Sequence, residues 1–287
     1  MRRRPTQVWI LVATLALVGC GHVRPQPTVA GCEEGIAPHE LLNAVLWMQG
    51  SAEYRANTLQ AFATARASLD RALTDPSAWH DAVVAVNPVP RDLHAVIVDA
   101  DETILDNSRA NSEQIFAGRR TFDPAAWDRW EREGRPEALP GAVEFLRYAA
   151  DRGVTVFYVT NRVREAELRG VLARLGFPLA EACDPVRVIG ECSSGDTSSD
   201  KECRRQDIAR TYRVLLLVGD DLGDFMQVKG LTVAERRVRA EVAGERWGRE
   251  WVVLPNPAYG SWERALSAKG DDDCTILRKK LAALEHP

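Results

Sequence analysis

The sequence lacks any clustering of basic residues that suggests nucleic-acid binding, any internal repeat and any long low-complexity run. Lysine and arginine are dispersed and the formal net charge is −4, so no surface is marked out for a nucleic-acid polymer. The chain opens on an apolar run, Val8–Val18, but that run is shorter than the roughly 20 residues a spanning helix needs. Of the six cysteines, Cys20 falls in the amino-terminal segment and leaves an odd set. With Cys20 set aside, Cys32, Cys183, Cys192, Cys203 and Cys274 remain, and an odd number leaves at least one thiol unpaired in an oxidising compartment. What is present is ordinary for a globular protein: 287 residues, 45% hydrophobic and 27% charged, enough for one large domain or two small ones.

The amino terminus reads as a targeting segment. Arg2, Arg3 and Arg4 precede Val8–Val18, and Leu17-Val18-Gly19-Cys20 looks like a lipobox, in which the cysteine is lipidated and becomes the new terminus. An ordinary secretory signal is the alternative. Residues 1–19 are thus expected to be a lipoprotein signal peptide and 20–38 a Pro/Gly-containing tether, with residues 39–287 as the folded domain. Gly21 after Cys20, by resemblance to Gram-negative lipoproteins, favours the outer membrane, facing the periplasm or the surface. The acyl chains anchor by burying CH₂ groups at about 0.8 kcal/mol each.

From His39 to Leu73 apolar residues recur at helical spacing, and Trp47 and Tyr54 sit on that pattern as core. Pro76 and Pro88–Pro90 end it. Apolar runs at 95–98, 154–159, 186–189, 214–218 and 251–254 read as strands, alternating with helices over 140–150, 165–175, 206–212 and 233–247. Gly176 is the stop signal of the second of these helices. The alternation predicts an α/β fold: a Rossmann-like parallel sheet flanked by helices, with an N-terminal helical element and a small helical lid at about 106–140. If Pro185–Ile189 is a strand, a rise of ~3.3 Å per residue carries Cys183 and Cys192 beyond disulfide reach. Cys192 with Cys203 brackets a Ser/Gly/Asp-rich loop and is the more plausible pair. Cys32 with Cys274 could tie the chain ends.

The organising stretch is His94–Ser108. Its apolar run delivers Asp99 and Asp101 to the carboxyl end of a strand, where open parallel sheets bind ligands. Like charges so close are costly unless a cation or proton lies between them. Other strand ends carry Thr160, the loop with Lys201, and Asp220/Asp221/Asp224. Together these suit phosphoryl transfer. Asp99 is the expected nucleophile and Asp101 the acid that protonates the leaving alkoxide and then activates water. Thr160 would donate to a phosphoryl oxygen and Lys201 would neutralise charge. Mg²⁺ would take Asp99, Asp220 and the backbone carbonyl of Asp101. Asp221 and Asp224 would orient waters or Lys201. Arg162 reads as a surface residue at a helix start or a phosphate neighbour, and Arg204 and Arg205 as positioning the Lys201 loop or as a solvated face.

DADETILDNS (99–108), VFYVTNR (156–162), SSDKECRRQDI (198–208) and VGDDLGDF (218–225) resemble the four motifs of the haloacid dehalogenase superfamily. Within it the chain is similar to the class C nonspecific acid phosphatases, bacterial outer-membrane lipoproteins. LWMQGSAEYRA (46–56), FDPAAWDRW (122–130) and PNPAYGSWERAL (255–266) extend the likeness across nearly the whole chain from His39. Ala100 replaces a larger aliphatic residue, and Arg109-Ala110 stands where the family often has an aromatic nearby. The resemblance implies a Mg²⁺-dependent phosphomonoesterase acting on a nucleotide-like substrate, with 5′-nucleotidase activity in view. It also implies that Tyr259 and Trp127 or Trp130 hold the substrate ring; Asn161 joins them as a substrate contact. Asp101 favours phosphatase or phosphotransferase chemistry over dehalogenase or ATPase chemistry. Transfer to a second alcohol, or a catalytically silent binding lipoprotein, are the alternatives. The oligomeric state is not read from the sequence.

Overall fold

A computed structural model describes residues 39–85, 92–181, 183–268 and 270–285. The expected signal peptide, tether, Cys20 lipidation site and Cys32 lie outside the described residues. Among those described, no helix is long and apolar enough to cross a membrane.

The centre is a five-stranded parallel sheet. Its strands are β1 (His94–Val98), β4 (Thr155–Val159), β5 (Val186–Arg187), β6 (Arg213–Gly219) and β7 (Trp251–Val253), in the spatial order β5-β4-β1-β6-β7. β1 lies in the middle, with Val98 paired to Tyr158 of β4 and to Val218 of β6. Successive side chains of a strand point to opposite faces. Val96, Val98, Val156, Tyr158, Leu216 and Val218 therefore enter one core, and Ala95, Ile97, Phe157, Val159 and Leu217 enter the other. Burial on both faces is what turns these strands into continuous apolar runs. Each fully buried leucine, such as Leu146 on α5 (Ala142–Asp151) or Leu215 on β6, contributes about 1.5–3 kcal/mol.

The expected N-terminal helical pattern is divided into α1 (Leu42–Gly50) and α2 (Ala52–Thr74). The cause is Ser51, which is extended and whose hydroxyl caps α2 by accepting from Tyr54 N at 3.0 Å. Tyr54 is buried against Trp47, at 5.2 Å between ring centroids, as core residues. α6 (Glu165–Leu175) ends at Gly176, whose φ of 80° is left-handed and suits glycine.

Elsewhere the boundaries move. The helix expected over 206–212 is α7 (Glu202–Ala209), begun early because Asp200 Oδ1 accepts from Glu202 N at 2.8 Å. α8 (Val233–Ala243) stops short of 247 at Gly244, and β5 has two residues rather than four. The lid region holds α3 (Ser108–Phe116) and α4 (Pro124–Glu133), joined at its base by a small antiparallel pair, β2 (Leu105–Asp106) with β3 (Glu137–Ala138). Two short helices close the chain, α9 (Ser261–Arg264) and α10 (Asp273–Ala282). A disulfide joins Cys192 to Cys203 with Cα atoms 5.9 Å apart. Cys183 is half-buried and without a disulfide, and Cys274 is exposed.

Candidate active site

The strand order brings the carboxyl ends of β4, β1 and β6 side by side. Asp99 follows β1 directly, and its N–H continues the ladder to Val218 O at 3.0 Å, which fixes where the carboxylate begins. The chain then turns sharply. Glu102 takes a φ of 55°, and both Ile104 N and Leu105 N return to Ala100 O. At the end of β6, Gly219 lies so close to Asp224 that a Cβ there would collide with the aspartate side chain.

Three carboxylates meet above this edge: Asp99, Asp220 and Asp224 each offer an oxygen within 4.8 Å of the others. Lys201 Nζ donates to Asp99 Oδ1 and, at 2.6 Å, to Asp224 Oδ1. Thr103 Oγ1 donates to Asp220 Oδ1 at 3.2 Å, and Asn256 Nδ2 donates to Asp220 Oδ2 at 2.8 Å. Asp224 Oδ2 accepts from Asp221 N at 2.9 Å. Burial pushes Asp99 up to about 7, with Lys201 opposing and Asp224 and Asp101 adding to the rise. Burial, then Asp224 and Asp99, hold Asp220 well above the carboxylate range. Burial works against the Lys201 ammonium, but Asp224 and Asp99 outweigh it and raise its pKa.

The expected catalytic set is thus gathered, with one rearrangement. Asp224, expected to orient waters or Lys201, joins the carboxylate cluster itself. Asp101 stands beside it, but its carboxylate is turned onto Arg162, whose Nη2 lies 2.6 Å from Oδ1, and onto Asn107 Nδ2 at 2.9 Å. Thr160, at the end of β4, is fully buried and its Oγ1 accepts from Arg162 N at 3.2 Å, so its own proton is left to donate. Asp221 holds the start of α9, accepting from Ser261 N at 2.5 Å and from the Ser261 hydroxyl.

The candidate substrate contacts are placed differently from one another. Tyr259 is half-buried and its hydroxyl donates to Glu102 Oε2. Trp130 is buried, with Nε1 donating to Asn107 Oδ1 at 2.8 Å; it is a strut of the lid and not a stacking face. Trp127 is half-buried, with the Arg162 guanidinium 5.7 Å from its ring centroid. Asn161 is exposed and its Oδ1 accepts from Arg204 Nη2 at 2.7 Å.

For the three arginines the structure removes one of the two readings that the sequence leaves open. Arg162, Arg204 and Arg205 are 2%, 1% and 1% exposed, so neither a surface residue nor a solvated face describes them. Arg204 donates to Thr160 O, and Arg205 donates to Gly223 O at 2.6 Å, tying α7 to the ends of β4 and β6. Asn107, Glu102 and Asn256 were not singled out. Their only signal was position inside the DADETILDNS and PNPAYG stretches.

The family model for the HAD superfamily, subfamily IIIB (acid phosphatase), matches residues 10–262. The chain belongs to this family. Among solved structures it is similar to two of the class C acid phosphatase from Bacillus anthracis, one of them with tungstate bound. Identity is 29% in both, over 85% of this chain and 96% of that one, with TM-scores of 0.73 and 0.72. The protein is an acid phosphatase, a phosphomonoester hydrolase on an HAD-like α/β fold.

Proposed function

We propose that this acid phosphatase works through a phosphoaspartyl intermediate on Asp99 and depends on Mg²⁺. The observation that carries the reading is the meeting of Asp99, Lys201, Asp220 and Asp224, drawn from the ends of β1 and β6 and the start of α7. In the first half-reaction an Asp99 oxygen attacks phosphorus, the ester P–O bond breaks, and Asp101 gives its proton to the leaving alkoxide. In the second, water attacks phosphorus, Asp101 takes its proton, and the bond to Asp99 breaks to release inorganic phosphate. Lys201 and the Thr160 hydroxyl steady the charge on the phosphoryl oxygens.

The donors fit a hard divalent cation. Three carboxylates face a single ammonium in one cluster, and burial disfavours the charge of Asp99 and Asp220. Asp99, Asp220 and Asp224 would hold the ion. The Asp101 carboxylate is engaged elsewhere, so its share falls to the backbone carbonyl. All the donors are oxygens, as Mg²⁺ requires. The ion supplies positive charge opposite the transferring phosphoryl group.

For substrate we favour 5′-nucleotide-like monoesters, with Tyr259 and Trp127 near the ring. For location we favour an outer-membrane lipoprotein anchored at Cys20; a Cys20→Ala variant that still incorporates labelled fatty acid would rule the anchor out. The reading as a whole is tested by Asp99→Asn, which should keep the fold and lose hydrolysis of a chromogenic phosphate ester. Unchanged turnover would refute it.

A further inference from the structure

We propose that Arg162 is the positioning residue of the acid–base carboxylate, and that through it the lid helix α4 sets the placement of Asp101. The inference rests on the reading of Asp101 as the proton donor to the leaving group.

Arg162 is buried, and two of its three guanidinium nitrogens are committed to the site. Nε reaches Asp101 Oδ1 at 3.0 Å and Oδ2 at 3.2 Å, while Nη2 reaches Asp101 Oδ1 at 2.6 Å and Asn107 Oδ1 at 3.1 Å. A planar fork on both oxygens fixes the plane of the carboxylate as well as its distance. The backbone of Arg162 is fixed too, since its N–H donates to the Thr160 hydroxyl oxygen at the end of β4. Asn107 closes the ring: its Nδ2 donates to Asp101 Oδ1 at 2.9 Å, and its Oδ1 accepts from Trp130 Nε1 at 2.8 Å.

Trp130 and Trp127 both belong to α4. The first holds Asn107 and the second lies under the Arg162 guanidinium, 5.7 Å from ring centroid to charge. A shift of the lid helix must therefore reach Asp101 through these two contacts. A buried guanidinium is costly to keep. Here it touches no group that the Asp99 attack requires, which marks its purpose as orientation of Asp101.

The prediction separates orientation from mere support of the fold. An aryl phosphate with a para-nitrophenolate leaving group needs no proton to depart, whereas an alkyl phosphate such as glycerol phosphate does. kcat/KM reports the steps up to leaving-group departure. Arg162→Lys should therefore lower kcat/KM for the alkyl ester by about 10²-fold, as misplaced catalytic groups do, and that for the aryl ester far less. Trp130→Phe keeps a smaller aromatic ring and removes the hydrogen bond to Asn107, so it should show the same selectivity with a smaller loss. It also decides the matter if Arg162→Lys does not fold. Asp101→Asn is the reference. If Asp101→Asn is selective for the alkyl ester but both other variants lose the two esters equally, the role given to Arg162 is wrong. If Asp101→Asn itself loses both equally, Asp101 is not the leaving-group acid, and the reading beneath the proposal falls with it.

Discussion

Lys201 and Asp99, separated by 102 positions in the chain, form one buried ion pair above the carboxyl end of the parallel sheet. The same ammonium holds Asp224 at 2.6 Å. One lysine thus offsets charge from two strand ends, and removing it leaves buried carboxylates uncompensated. Breaking one partner from a buried pair destabilises by about 3–5 kcal/mol. Lys201→Met is therefore expected to lower the melting temperature of the metal-free protein. Adding Asp224→Asn to the same chain should recover part of that loss. A double variant no more stable than the single one would show that the two charges are not coupled.

Burial holds Asp99 at about 7 and Asp220 above the carboxylate range in the metal-free site. A cation must displace the protons these groups carry at lower pH. Mg²⁺ affinity should then fall as pH is lowered from 8 through about 7 toward 5. Titration calorimetry at several pH values measures this, with proton uptake by the buffer as an internal check. Affinity that stays constant over that range would contradict the assignment of these carboxylates as ligands. Chelation should abolish activity, and added Mg²⁺ should restore it.

Asp221 has the opposite sign. Burial would raise its pKa, but the Ser261 hydroxyl, then Gly223 N and Ser261 N, and then Arg236 outweigh burial and hold it below the ordinary aspartate value of 3.8. A depressed carboxyl contributes stability above the unfolded pKa and loses it as pH falls through the folded one. Asp221→Asn should cost about 1–3 kcal/mol near neutral pH, the range for stripping a buried hydrogen-bonded charge. The gap to wild type should close below pH 3.8. Denaturant titrations at both ends of the range test this, and a gap that widens in acid would reverse the sign.

Tyr259 is half-buried, packed against the core, and tied to the loop after β1 by its hydroxyl on Glu102. If its ring stacks on a base, Tyr259→Ala should raise KM for mononucleotides by about tenfold or more, from a stacking contribution of about 1–3 kcal/mol. KM for phosphate esters without a ring should change little. Equal effects on both would assign Tyr259 to packing alone.

The catalytic edge was legible because it depends on strand ends, and buried parallel strands announce themselves as apolar runs that stop at a polar residue. Asp99, Thr160 and Asp220 each follow such a run. The two-residue strands β2 and β3 carry no periodicity and could not be read. The break at Ser51 depends on one hydroxyl inside an otherwise helical pattern. For Arg162, Arg204 and Arg205 the sequence leaves a solvent-facing reading open beside that of a phosphate neighbour or a support of the Lys201 loop, because arginine is mostly exposed unless paired. Their partners, Asp101, Thr160 O and Gly223 O, come from distant parts of the chain and meet them only in the fold. The same distance hid Trp130 behind Asn107, so that a lid strut looked like a stacking ring.

The central claim is covalent chemistry at Asp99, and rapid acid quench with a substrate radiolabelled in its phosphate tests it most directly. The account predicts label on the peptide that contains Asp99, appearing within the first turnover and absent from Asp99→Asn. Label on a different residue, or none on the protein while the wild-type enzyme turns over under conditions that make breakdown of the intermediate rate-limiting, would contradict it.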